Sequence, residues 1–180
     1  MLEVEVKKRI NCEDLERLRE HIKNLGYTLS YKGVETDIYY SHPCRDFKHT
    51  DEALRVRFKD NGECELTYKG PKIGGVGKVR EELTVKILDV KTLTLILERL
   101  GFREFAKVKK VRETYAKDGT LISIDNVEGL GCFMEIESIC INRDVDSTLR
   151  FIEELFNRLN IRGPSIRKSY LELLLEKDRS

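Results

Sequence analysis

At 180 residues the chain is long enough to bury a core of its own, without help from disulfides or a structural metal. Charged residues make up 36% of it, well above the usual quarter, yet 33 lysines and arginines against 32 acidic residues leave a net charge of only +1. That balance argues against nucleic acid or a membrane surface as partner, since both demand a basic excess, and it fits a site holding both signs. The five cysteines, Cys12, Cys44, Cys64, Cys132 and Cys140, are odd in number and lack C-x-x-C spacing. They read as free thiols in a reducing cytoplasm, not as a zinc site. The chain opens straight into charged residues, so no signal peptide is expected, and no apolar run approaches the length of a membrane span.

In chain order, Leu2, Val4 and Val6 alternate with Glu3, Glu5 and Lys7, the period of a strand with one apolar and one ionised face. Asn11 is placed to cap a helix whose apolar residues Leu15, Leu18, Ile22 and Leu25 recur at helical spacing, with Gly26 as its stop. Residues 27–40 read as a long strand rich in tyrosine and β-branched residues, and 41–51 as a polar loop. His42 and His49, seven apart in that loop, read as exposed loop histidines before they read as a metal pair. Strands over 53–59 and 63–69 flank Asp60, Asn61 and Gly62, a hairpin signal. Residues 70–78 hold four glycines, one proline and two lysines: a long connection that could close over an anion, though without the Gly-Lys-Ser/Thr ending of a P-loop.

A strand is predicted over 79–87, then a helix capped by Asp89 and stopped by Gly101, although Thr92 and Thr94 favour a strand by propensity. Strands over 103–117 and 121–125 are joined by Asp118 and Gly119, and another runs over 132–141. Asp144 or Asp146 opens a helix with Phe151, Leu155, Phe156 and Leu159 on one face, Pro164 breaks the chain, and 169–177 forms a last helix. The order strand, helix, leucine–glycine–aromatic, long strand occurs around Gly26 and again around Gly101, which suggests two related halves.

The ionised face of the first strand recurs. Arg55 and Arg57, Arg80 and Glu82, Lys110 and Arg112, and Glu135 and Glu137 each stand two apart on a strand, and Lys69 ends another such segment. If these strands close with the charged faces inward, they form a cage of cations and carboxylates suited to a polyphosphate and its metal ions.

Taken together, the motifs resemble the CYTH superfamily, the triphosphate tunnel metalloenzymes, over essentially the whole chain. Glu3, Glu5 and Lys7 match its E-x-E-x-K signature; Arg55 and Arg57 its R-x-R strand; Thr67, Lys69 and Gly70 its T-x-K-G strand. Arg80 and Glu82 match R-x-E, Lys110 and Arg112 K-x-R, Glu135 and Glu137 the late E-x-E, and Asp125 stands at an acidic metal-site position. Thr84 departs from relatives that carry a further glutamate there. Pro43, Arg45, Asp46, Phe47 and the run from Thr50 to Arg55 are similar to the class IV adenylyl cyclase branch, as are Lys168, Ser169 and Tyr170.

The resemblance implies one domain over 1–180 of α+β content: an eight-stranded antiparallel β-barrel with helices outside it and pseudo-twofold strand–helix–strand halves. It implies triphosphate binding by Lys7, Arg55, Arg57, Lys69, Arg80, Lys110 and Arg112. Mg²⁺ or Mn²⁺ would be held by Glu3, Glu5, Glu82, Asp125, Glu135 and Glu137, with Glu3, Glu5, Lys7, Lys110 and Glu137 as the catalytic set. The expected activity is class IV adenylyl cyclase chemistry on ATP, or hydrolysis of an inorganic, thiamine or nucleoside triphosphate. A non-catalytic binding module is the competing class, and the paired carboxylates argue against it, because a pure anion binder gains nothing from acids beside phosphates. A homodimer is implied by the class IV likeness alone.

Overall fold

The alternations and stops of the sequence are realised in a computed structural model that describes residues 2–71, 81–140 and 144–177. The elements are β1 (Leu2–Arg9), a short 3₁₀ turn (Cys12–Asp14), α1 (Leu15–Asn24), β2 (Thr28–Ser41), β3 (Ala53–Lys59), β4 (Cys64–Lys69), β5 (Glu82–Lys86), α2 (Val90–Arg99), β6 (Arg103–Lys117), β7 (Thr120–Val127), β8 (Gly131–Cys140), α3 (Val145–Arg158) and α4 (Tyr170–Lys177). The eight strands hydrogen-bond in the order β1-β8-β7-β6-β2-β3-β4-β5. The registers of β1 with β8, β7 with β8, β2 with β3, β3 with β4 and β4 with β5 are all antiparallel. This is the expected α+β set of strands and flanking helices. The glycine-rich stretch 72–80, including Arg80, lies outside the described residues.

The chain divides into two compact units, one from residues 1–32 and 111–180, the other from 33–73 and 80–110; 74–79 fall in the first. In the first unit, α1 contributes Leu18 and Ile22 and α3 contributes Ile152, Leu155 and Phe156 to a core with Val4, Val6, Ile122, Ile124, Met134 and Ile136. Those strand residues alternate with Glu5, Lys7, Ser123, Asp125, Glu135 and Glu137, so the core takes one face and the charges take the other. In the second unit, α2 lays Leu97, with Val90 and Leu93, against Tyr40, Val56, Cys64, Ile38, Leu54, Phe58 and Leu66. Asp37, Arg55, Arg57, Thr67 and Lys69 alternate with them.

Helix ends follow their local chemistry. Asn11 accepts from the Glu13 N–H at 3.2 Å, Asp89 from Thr92 at 3.1 Å and Asp144 from Ser147 at 3.0 Å. The cap and the buried Leu97 outweigh the strand propensity of Thr92 and Thr94 in α2. Gly26 and Gly101 close α1 and α2 in the same way, at φ 86° and 89°, with backbone bonds back to Lys23 and Glu98 and from the next residue to Ile22 and Leu97. The leucine–glycine–aromatic echo in the sequence is thus the same helix stop used twice.

One expectation is corrected. Cys12 and Cys132 form a disulfide, with Cα atoms 5.3 Å apart and 120 residues between them in sequence. The β1–β8 register ends at Arg9 opposite Phe133, and the Ile10 N–H donates to the Cys132 carbonyl at 3.0 Å, which carries the chain to the pairing partner. Cys64 is a buried free thiol and Cys44 an exposed one.

Candidate triphosphate and metal site

In the first unit the β1–β8 ladder sets Lys7 opposite Glu135 and Glu5 opposite Glu137, so the four side chains share a face. The Lys7 ammonium is 1% exposed and lies 3.1 Å from Glu135 Oε1. Arg112, from β6, donates its Nε to Asp125 Oδ1 at 2.7 Å, and its Nη2 to both Asp125 Oδ2 and Glu135 Oε2. Asp125 is fully buried, and the Tyr170 hydroxyl donates to its Oδ2 at 2.7 Å. Glu3 stands opposite Ile139 in the ladder, two residues from Glu5. Glu5, Asp125, Glu135 and Glu137 outnumber Lys7 and Arg112, so this cluster is acidic. Burial pushes the Tyr170 phenol well above its ordinary value, and the charges of Glu135 and Asp125 push it the same way.

Among the described residues no three Asp, Glu, His or Cys side chains converge on one point. The residues nonetheless fit a hard divalent ion. Glu5 and Glu137 are directly opposed on neighbouring strands, which sets two hard oxygen donors side by side on one face. Mg²⁺ characteristically takes one or two carboxylates from the protein and the rest of its oxygens from phosphate and water.

In the second unit Arg57 forks onto Asp37, Nε to Oδ1 at 2.6 Å and Nη2 to Oδ2 at 2.8 Å, and its Nη1 lies 3.2 Å from Glu35. Lys110 reaches Glu35 at 2.9 Å and Asp37 at 3.7 Å, and Arg55 lies 3.8 Å from Asp37. Arg55, itself buried, donates from Nη2 to Thr67 at 3.2 Å, while its buried Nε has no hydrogen-bond partner among the described residues. Burial alone would raise the Asp37 carboxyl, but Lys110, then Arg57 and Arg55, hold it well below the usual carboxylate range. Burial, helped by the Asp37 charge, pushes the Tyr39 phenol up to about 12. Three cations against two carboxylates leave this cluster basic.

The Thr84 hydroxyl lies 3.0 Å from that of Thr67, its partner across the β4–β5 ladder. Lys69 pairs with Glu82 at 2.7 Å at the more exposed end of the same ladder.

The expected residues therefore fall into two groups. Glu5, Lys7, Arg112, Asp125, Glu135 and Glu137 assemble in the first unit, and Arg55, Arg57, Lys69, Glu82 and Lys110 in the second. Arg80 lies outside the described residues, and for Glu3 only the backbone position is described. Two residues of these clusters escaped the sequence reading, Glu35 and Asp37, which alternate with Thr36, Ile38 and Tyr40 on β2 and could have been found by that period; Tyr170 was singled out there by resemblance, without a role in the site. His42 takes the Cys44 N–H at 3.0 Å on Nδ1 and packs against Phe47 and Phe102, a loop histidine in a small aromatic cluster.

Residues 1–170 match the CYTH domain family. A Methanocaldococcus jannaschii protein, whose name assigns it provisionally to the adenylate cyclases, is 45% identical over 175 residues, spanning 96% of this chain and 98% of that protein. A solved protein of Pyrococcus horikoshii OT3 is also 45% identical, covering 97% of this chain and 99% of its own, with a TM-score of 0.87. A Vibrio parahaemolyticus structure, provisionally titled an adenylate cyclase, has a TM-score of 0.81 over 97% of this chain and 98% of its own. At 22% identity it speaks for the fold alone. With the family matched over nearly the whole length, and with its charged strand motifs paired as described, the chain belongs to the CYTH domain family.

Proposed function

We propose that the protein is a divalent-metal-dependent enzyme acting on a triphosphate, and that its reaction is conversion of ATP to 3′,5′-cyclic AMP and pyrophosphate. The observation that carries the triphosphate reading is the basic cluster. Arg55, Arg57 and Lys110 exceed Glu35 and Asp37 by one charge, and among the described residues the buried Arg55 Nε–H has no acceptor. A buried donor left unmatched costs about 1–3 kcal/mol, and a phosphoryl oxygen would recover it. Carboxylates that fork the arginines also hold them in the geometry an oxyanion needs, so little ordering is left for binding.

In this reading Arg55, Arg57, Lys69, Arg80 and Lys110 of the second unit are phosphate-binding residues, and so are Lys7 and Arg112 of the first. Glu5 and Glu137 are the foremost metal ligands, with Glu3, Glu82 and Glu135 beside them. Asp125, whose oxygens accept from Arg112 and Tyr170, serves as the orienting carboxylate. When bound, Mg²⁺ or Mn²⁺ would neutralise charge on the phosphate oxygens. In the cyclase reaction the ribose 3′-oxygen bonds to the α-phosphorus as the bond to the pyrophosphate oxygen breaks, and the 3′-proton passes to solvent or a basic side chain. The preference for this reaction over triphosphate hydrolysis rests on the class IV-like residues 43–55 and 168–170, and on the name of the M. jannaschii relative.

The test is chromatography of products from ATP, inorganic triphosphate and thiamine triphosphate, each with Mg²⁺ and with Mn²⁺. Cyclic AMP with pyrophosphate is the expected result. ADP or AMP without cyclic nucleotide, or hydrolysis of inorganic triphosphate alone, transfers the assignment to triphosphatase. No turnover of any of the three, with binding retained, leaves a binding module.

A further inference from the structure

Tyr170, the first residue of α4, is buried in the acidic cluster and makes a different interaction with each of two of its members. Its hydroxyl donates to Asp125 Oδ2 at 2.7 Å, and its ring lies 3.9 Å from the Lys7 ammonium. Phe133 supports the ring from 5.1 Å. The helix that presents it is capped at its start and tethered at its end. The Ser169 N–H donates to Glu172 Oε2 at 2.7 Å while the Glu172 N–H donates to Ser169 Oγ at 3.2 Å, and Lys177 donates to the Gly129 carbonyl at 2.6 Å.

Simple anchoring of α4 would need an apolar ring and no hydroxyl. The hydroxyl instead holds the carboxylate that forks Arg112, and the ring face orients Lys7 without the charge neutralisation that a second carboxylate would bring. Both effects act on Lys7 and Arg112, the two cations of this cluster.

We propose that Tyr170 is a positioning residue of the triphosphate site: through Asp125 it fixes Arg112, and through its ring it fixes Lys7, which makes α4 part of the site. This rests on the triphosphate reading above. The experiment compares wild type, Tyr170→Phe and Tyr170→Leu by calorimetric titration with inorganic triphosphate and Mg²⁺. Turnover of ATP or inorganic triphosphate, whichever the wild type consumes, and thermal melting are measured alongside.

Tyr170→Phe keeps the ring over Lys7 but releases Asp125 and with it Arg112, so triphosphate affinity is expected to fall about threefold and kcat about tenfold or more, the usual cost of losing an orienting partner. Tyr170→Leu loses both interactions, and its triphosphate affinity is expected to fall about tenfold as well. Folded variants with wild-type affinity and turnover overturn the inference alone. A wild type that binds no triphosphate overturns it together with the reading beneath it. If Tyr170→Leu does not fold, the kcat of Tyr170→Phe decides.

Discussion

Glu5 and Glu137 face each other across the β1–β8 ladder, and that opposition gives Glu5 a signature by which its role can be read. Glu5→Gln keeps the size and removes one of the two opposed carboxylates, so the fold should survive, as a melting curve of the metal-free variant checks. Turnover at saturating Mg²⁺ should nonetheless fall about a hundredfold or more, given the share of transition-state charge that metals carry. Wild-type turnover in that variant would remove Glu5 from the metal site. At this scale the sequence was informative wherever charges recur at period two on short strands, as at Arg55 and Arg57 or Glu135 and Glu137. It was less so on β2, where the tyrosines and β-branched residues set the strand assignment and drew attention from Glu35 and Asp37. The orienting part of Asp125 was illegible for another reason: it depends on Arg112 and on Tyr170, 45 residues further along the chain.

At the scale of elements, α1 is clamped to β6 through Glu113. Arg19 donates to both Glu113 oxygens, Nε to Oε2 at 2.8 Å and Nη2 to Oε1 at 2.9 Å, with Lys32 at 3.0 Å and the Tyr115 hydroxyl at 3.1 Å. Burial opposes ionisation of Glu113, but Arg19 and Lys32 outweigh it and bring the carboxyl down to about 2 from an ordinary 4.5. A depressed carboxylate adds stability that is fully present above the unfolded value and lost as pH falls through the folded one. Urea unfolding should therefore show stability declining between pH 4.5 and about 2, and Glu113→Gln should flatten that decline while lowering stability at neutral pH. An identical acid limb in the variant would mean the clamp contributes nothing. The element boundaries were largely legible, because alternation, the caps at Asn11, Asp89 and Asp144 and the glycine stops are local properties. The strand order was not: β1 beside β8 joins the two ends of the sequence, and period-two alternation carries no information about which strand lies alongside.

For the molecule as a whole, the least legible feature was the Cys12–Cys132 bond, since an odd cysteine count and unremarkable spacings give no hint of a pairing across 120 residues. In the chain-entropy picture a closure of that length is worth about 5 kcal/mol, comparable to the entire net stability of many domains. Reduction under native conditions, or Cys12→Ser, should lower the melting temperature by about 10–20 °C, measured with and without dithiothreitol. An unchanged melting temperature would mean the bond adds no stability. The same bond turns the stretch from Cys12 to Cys132 into a covalent ring, which changes what a protease can accomplish. Lys48 lies exposed in the loop between β2 and β3, inside that ring. A single tryptic cut there makes two polypeptides that remain one molecule on a non-reducing gel and part only when a thiol is added.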